Sequence, residues 1–210
     1  MPEGPTVRRF CSLVSPFVGQ FVVKVGGSTR QIALQDLQGQ HFLNCQVNII
    51  LHFDSKGFLV FYNCRMAWCS SPFSEPGCDI LSPEFNKERA LQSLAFPRPV
   101  CITLMDQKCF SGVGNIIKNE ILYLAQIHPL SLGSVLPLDK LCILLDHAVS
   151  FTSDWLKSKM QRKGLHYHIY MKEYCPKGHQ VTKESLGPTY GLKRLTWYCP
   201  ECQPQVKSDQ

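Results

Sequence analysis

Apolar positions recur along this chain with two periods. Val7, Phe10, Leu13 and Val14 follow a helical spacing, so a helix is predicted to begin near Pro5 or Thr6. From Phe17 to about Trp68 the pattern shortens. Residues 21–25, 31–34, 41–47, 49–53 and 58–62 are β-rich runs, separated by Gly26-Gly27, Gly39 and Asp54-Ser55-Lys56-Gly57. Short strands between glycine-bearing turns predict an antiparallel sandwich or barrel. Residues 70–83, rich in Ser and Pro, read as a loop or linker.

Beyond Pro83 the helical period returns. Residues 84–95 fit an amphipathic helix stopped before Pro97, and residues 100–105 form a short apolar run. Ser111-Gly112-Val113-Gly114-Asn115 is a glycine-bearing turn. Ile116, Ile117, Glu120, Ile121 and Leu124 continue from it as a helix ending near His128-Pro129. Residues 138–159 predict a long helix, with Leu141, Leu144, Leu145, Ala148, Trp155 and Leu156 as its apolar face. Helix, glycine turn, helix is a DNA-binding layout, because exposed amides at the second helix's start can hold a phosphate. Asn115 either adds a side-chain contact to that phosphate or caps the helix. Lys118 either joins it or is plain surface.

Composition sharpens this only modestly. The chain has 210 residues, 44% of them apolar, and a net charge of +6. Residues 1–84 carry six Lys and Arg against six Asp and Glu, whereas residues 85–169 carry ten against six and residues 170–210 six against four. The excess favours an anionic partner for the C-terminal part. Divisions are expected at 1–84, 85–169 and 170–210. Eleven cysteines at irregular spacing point to reduced thiols in a soluble intracellular protein. No apolar run approaches the ~20 residues of a membrane span, and no Lys/Arg cluster is dense enough for a nuclear signal.

Four residues can hold one metal ion: Cys175, His179, Cys199 and Cys202. A C-x3-H pair, nineteen intervening residues and a C-x2-C pair suit a closed tetrahedral zinc site. The stretch between the pairs has hairpin character, with turn signals at Gly178 and Leu186-Gly187-Pro188 and a β-rich return at residues 195–198. Lys193 and Arg194 just before that return suit a phosphate backbone.

The chain opens Met1-Pro2-Glu3-Gly4-Pro5. Removal of Met1 before a small residue would leave Pro2 as a secondary amine. Attack on an aldehyde carbon would then give a cationic iminium, an electron sink for β-elimination. Glu3 is placed beside it to move protons. The simpler reading is a proline at the first turn of a helix.

In this order, Met1–Pro5, the segment Leu104-Met105-Asp106-Gln107-Lys108-Cys109-Phe110-Ser111-Gly112-Val113-Gly114-Asn115-Ile116-Ile117-Lys118-Asn119-Glu120, Ile127-His128-Pro129, and the segment from Lys193 to Gln203 resemble the formamidopyrimidine-DNA glycosylase/endonuclease VIII family. The resemblance implies an α+β fold. Its parts would be an N-terminal antiparallel β-sandwich with an N-terminal helix, a helical domain with a helix–two-turn–helix, and a zinc-bound β-hairpin, with a DNA-binding cleft. It implies a base-excision repair glycosylase and abasic-site lyase, with Pro2 as Schiff-base nucleophile and Glu3 as proton-transfer residue. Asn115 and Arg194 match the phosphate-binding positions, and Met66 resembles an inserted wedge, its simpler role being a core strand residue. The implied partners are damaged DNA (duplex, bubble or single-stranded) and other base-excision repair proteins. A monomer acting in the nucleus is expected, with cytoplasm or mitochondrion as alternatives.

One departure matters. The family places a lysine that assists catalysis and grips phosphate in a strand-hairpin near position 50. Here the run is Gln46-Val47-Asn48-Ile49-Ile50-Leu51-His52-Phe53, and Ile50 cannot transfer a proton. Val47-Asn48 reads as a junction where a polar insertion is missing. A DNA-binding module with impaired catalysis is therefore the alternative to the enzyme.

Overall fold

The computed structural model describes residues 3–26, 50–55, 57–60, 75–188, 190–191 and 193–206. These residues form two units, Met1–Arg9 with Glu75–Gln210, and Phe10–Ser74. Helix α1 spans Gly4–Val14, one or two residues ahead of the predicted start.

In the smaller unit, β1 (Val22–Gly26), β2 (Ile50–Phe53) and β3 (Phe58–Val60) form an antiparallel sheet in the order β1-β2-β3. Its register pairs Val25 with Leu51 and Leu51 with Leu59. Val22, Leu51 and Phe53 are buried, and the Phe17 and Phe53 rings meet at a tilt of 32° with centroids 4.7 Å apart. The other expected strands, at residues 31–34 and 41–47, lie outside the described residues, as do Lys56, the Val47-Asn48 junction and Met66. Ile50, where the family lysine was expected, pairs through its backbone with Gly26 and Val60.

The larger unit is built on helices. Helix α2 spans Lys87–Leu94, and the Asn86 side chain caps it by accepting from the Arg89 amide at 2.9 Å. Helix α3 (Val100–Thr103) leads into the hydrogen-bonded turns of residues 104–113, and α4 spans Asn115–Leu124. Helix α5 (Leu138–Met160) packs on α4 and α2. It buries Leu141, Leu144, Leu145, Ala148, Phe151, Thr152 and Trp155, the three-and-four spacing of one helical stripe. Phe110, Val113, Ile117 and Ile121 complete the core beneath the turn. No helix of the described residues is long and apolar enough to cross a membrane. The chain closes with a hairpin, β4 (Thr182–Leu186) against β5 (Arg194–Tyr198), in which Leu186 pairs with Arg194 and Thr182 with Tyr198.

Candidate functional site

Glu3 joins the starts of two helices. Its backbone carbonyl accepts from Thr6 and Val7 in the first turn of α1, at 2.8 and 3.1 Å. Its carboxylate reaches the first turn of α4, where Oε1 accepts from the Ile116 amide at 2.7 Å and Oε2 from the Ile117 amide at 3.1 Å. A carboxylate at a helix N-terminus satisfies donors that have no partner within the helix and meets the positive end of the dipole. The two glycines of the turn make this approach possible. Gly112 has φ +93° and accepts from the Gly4 amide at 2.8 Å. A Cβ at Gly114 would lie 2.2 Å from Glu3 Cγ. The Gly112-Val113-Gly114 turn is thus shaped to seat the chain's first residues. The expectation that the α4 amides are exposed for phosphate is corrected for Ile116 and Ile117, which Glu3 already occupies. Burial pushes the Glu3 carboxyl above its ordinary value, against the pull of the two amides. A buried acid with a raised pKa is suited to proton transfer near neutral pH.

Asn115 is the first residue of α4, and Gly114, without a side chain, holds the cap position. The Asn115 carboxamide instead ties α4 to the hairpin, with Nδ2 donating to the Leu195 carbonyl at 2.9 Å. Its Oδ1 accepts from Lys118 Nζ at 2.9 Å, and Lys118 donates again to Thr196 Oγ1 at 2.8 Å. Lys118 is only 1% exposed, so it is not plain surface. Arg194, half-buried at the start of β5, lies close enough to oppose the Lys118 charge. The structure therefore brings Glu3, Asn115, Lys118 and Arg194 to the first turn of α4 and the strand packed on it.

Burial pushes the Lys118 ammonium from 10.5 down to about 8. Between those values the unfolded chain holds a proton that the folded chain has lost. Stability therefore rises with pH across this window, by at most about 1.4 kcal/mol per pH unit. Lys118→Met is expected to remove that increment, read as the difference between variant and parent in urea midpoints at about pH 7.5 and about pH 9.5. Identical pH dependence in the two proteins would rule out a lysine that loses its proton early in the fold.

Two supporting residues escaped the sequence reading. Glu120, fully buried on α4, accepts from the amides of His168, Ile169 and Tyr170 at 2.8, 3.0 and 2.8 Å. It thereby fixes the segment that leads into the Cys175 and His179 pair. Its signal was an acid on the apolar face marked by Ile117, Ile121 and Leu124. Gln203, also fully buried, accepts from the Cys199 amide at 2.9 Å and donates to the Ile127 carbonyl at 2.8 Å. It bolts the second pair to the Ile127-His128-Pro129 corner, where the His128 ring meets Tyr198 edge-on at 4.7 Å.

The ligand atoms of Cys175, His179, Cys199 and Cys202 all lie within 4.8 Å of one another. Cys175 Sγ stands 3.9 Å from Cys202 Sγ, and His179 Nδ1 stands 3.3 and 3.7 Å from the sulfurs of Cys202 and Cys199. Ligands of a tetrahedral ion with ~2.3 Å sulfur bonds are separated by about 3.8 Å, so the quartet fits one such ion. No disulfide forms among the described residues. Pro2 and Met66, the proposed nucleophile and wedge, lie outside the described residues.

Residues 77–163 match the formamidopyrimidine-DNA glycosylase H2TH domain. The chain is similar over its whole length to endonuclease 8-like 2 of Bos taurus, at 37% identity and 98% coverage of that protein. It belongs to the formamidopyrimidine-DNA glycosylase/endonuclease VIII family. It is 58% identical to endonuclease 8-like 2 of Mus musculus over 160 residues, 76% of this chain and 49% of the relative. The human protein of that name is 55% identical over 161 residues, 77% and 48% of the two chains. The chain thus spans about half the length of these two curated relatives. The bovine comparison runs over 322 positions, more than the 210 residues present here, so that relative carries interior sequence this chain lacks. The fold is shared with a viral DNA glycosylase (TM-score 0.74, 19% identity, 96% of this chain and 99% of the other). It is shared also with the MutM (Fpg) protein of Thermus thermophilus (0.71, 18%, 98% and 100%). A third likeness is to Lactococcus lactis formamidopyrimidine-DNA glycosylase bound to DNA containing an abasic site (0.68, 19%, 97% and 100%).

Proposed function

We propose that this chain is a base-excision repair DNA glycosylase and abasic-site lyase that removes oxidised bases, pyrimidines in particular, and acts in the nucleus. The carrying observation is the Glu3 clamp, which holds the residue next to Pro2 on the first turn of α4. After Met1 removal, the Pro2 nitrogen attacks the deoxyribose C1′, and the base leaves with the bonding electrons and a proton. Ring opening gives an iminium between Pro2 and the sugar. Loss of a C2′ proton then feeds electrons toward the iminium and expels the 3′ phosphate, which cuts the strand. Glu3 moves the protons at the sugar and leaving group. Asn115, Lys118 and Arg194 hold the backbone phosphate, and Met66 fills the gap left by the extruded base. Cys175, His179, Cys199 and Cys202 hold zinc, which supplies folding energy to the hairpin.

The second reading, a damaged-DNA-binding module without base excision, is favoured by Ile50 at the expected lysine position. Borohydride trapping on bubble DNA carrying 5-hydroxyuracil or an abasic site separates the two. Covalent adducts at both lesions, absent from Pro2→Ala, are expected for the bifunctional enzyme. Adducts at the abasic site alone would leave a lyase, and none at either, with DNA binding retained, would leave the binding module.

A further inference from the structure

A cavity of ≈ 380 Å³ opens between α3, α4 and the β4–β5 hairpin of the larger unit. Its polar wall contains Arg98, Lys118 and Arg194 against a single carboxylate, Asp106. Asp106 meets Arg98 at 3.4 Å, a long contact between half-exposed groups, so Arg98 is oriented rather than consumed by it. Its backbone is fixed on both sides, since Arg98 N donates to the Phe96 carbonyl and Gly133 N to the Arg98 carbonyl. Lys118 gives two of its three N–H groups to Asn115 and Thr196. The third has no acceptor among the described residues. Glu3, whose charge acts on Lys118, is already engaged by the Ile116 and Ile117 amides. The lining also has an apolar part, with Ile102, Met105 and Pro188.

A buried ammonium and two guanidiniums facing one carboxylate leave a positive hole that an anion would fill. The volume exceeds that of a phosphate alone and suits a phosphate with its sugar set against the apolar part. Building on the DNA-repair reading above, we propose that this cavity takes a second DNA phosphate, next to the one held by Asn115 and Arg194. Arg98 is its recognition cation, and Lys118, with one N–H left to give, adds its charge. Neither the glycine turn nor the metal-binding pairs contains Arg98, so no motif in the sequence pointed to it.

The phosphate belongs either to an uninterrupted strand or to the end left after cutting. Parent and Arg98→Ala proteins would be titrated with duplex carrying an internal abasic-site analogue across a salt series, and with short strands ending in a 3′ phosphate or a 3′ hydroxyl. Losing one phosphate contact is expected to lower the slope of log K against log salt by about 0.9 on duplex. A preference for the 3′-phosphate strand that vanishes in Arg98→Ala would assign the cavity to the cut end instead. Lys87→Ala, which removes a surface lysine paired with Asp146, serves as the control for generic charge loss and should leave slope and preference unchanged. If Arg98→Ala keeps its thermal midpoint, its slope and its end preference, the cavity is not a phosphate site. A parent protein that does not bind DNA would overturn the DNA reading itself.

Discussion

Replacing Gly114 with alanine is expected to reduce strand cleavage at an abasic site by roughly 10²–10⁴-fold, the range that a positioned proton-transfer group contributes. The new Cβ would meet Glu3 Cγ at 2.2 Å, Cδ at 2.4 Å and Oε1 at 2.8 Å. The carboxylate cannot slide away cheaply, because both its oxygens are bonded to the Ile116 and Ile117 amides and the residue is 7% exposed. Expelling it leaves two helix amides unpaired, at about 1–3 kcal/mol each, so a lower thermal midpoint should accompany the lost activity. DNA affinity should change far less, since Asn115, Lys118 and Arg194 do not depend on Glu3 for their hydrogen bonds. A variant that cleaves within about threefold of the parent, against that catalytic range, would show that Glu3 is not held for proton transfer.

For the proposed zinc-bound quartet, removal of the ion is expected to have the second large effect. A two-stranded hairpin is marginally stable on its own, and structural zinc supplies on the order of 10–16 kcal/mol in small zinc modules. Without the ion, Cys175, Cys199 and Cys202 lose the centre that draws them together, and β5 loses its anchor. That strand carries Arg194, the Leu195 carbonyl that receives Asn115, and the Thr196 hydroxyl that receives Lys118. Chelation should therefore abolish tight DNA binding while the helical circular-dichroism signal persists, because the α2–α5 core holds none of the four ligands. The Cys199→Ser protein should behave the same way without chelator. Unchanged affinity after metal loss verified by elemental analysis would separate the ion from DNA binding.

What could be read in advance depended on distance along the chain. Helices α4 and α5 followed from periodic apolar positions, and the clustering of Cys175, His179, Cys199 and Cys202 from two close pairs whose spacing nearly dictates their geometry. The glycine turn was also visible, but its occupant was not. Glu3 and Ile116 are 113 positions apart, and nothing in either segment says that they meet. Two amides of α4 look open to phosphate in the sequence, and a carboxylate from residue 3 fills them in the fold. Of the two readings of Lys118, burial excludes plain surface. A lysine on a helix of mixed polarity suggests surface, and only the hairpin packing over it removes it from water. Glu120 could have been recognised as an acid on an apolar stripe, although its three backbone partners at residues 168–170 could not.

The Glu3 clamp also has a bearing on how the protein must be produced. Gly4 is pinned to Gly112, and Glu3 to the first turn of α4, so the chain is registered against the helix one residue from the proposed amine. A residual tag residue would convert the amine to an amide and end its nucleophilicity, while the same affinity handle placed after Gln210 would leave it free. An amino-terminally tagged preparation would thus score as inactive for a reason unrelated to Ile50 standing where the family resemblance implies a lysine.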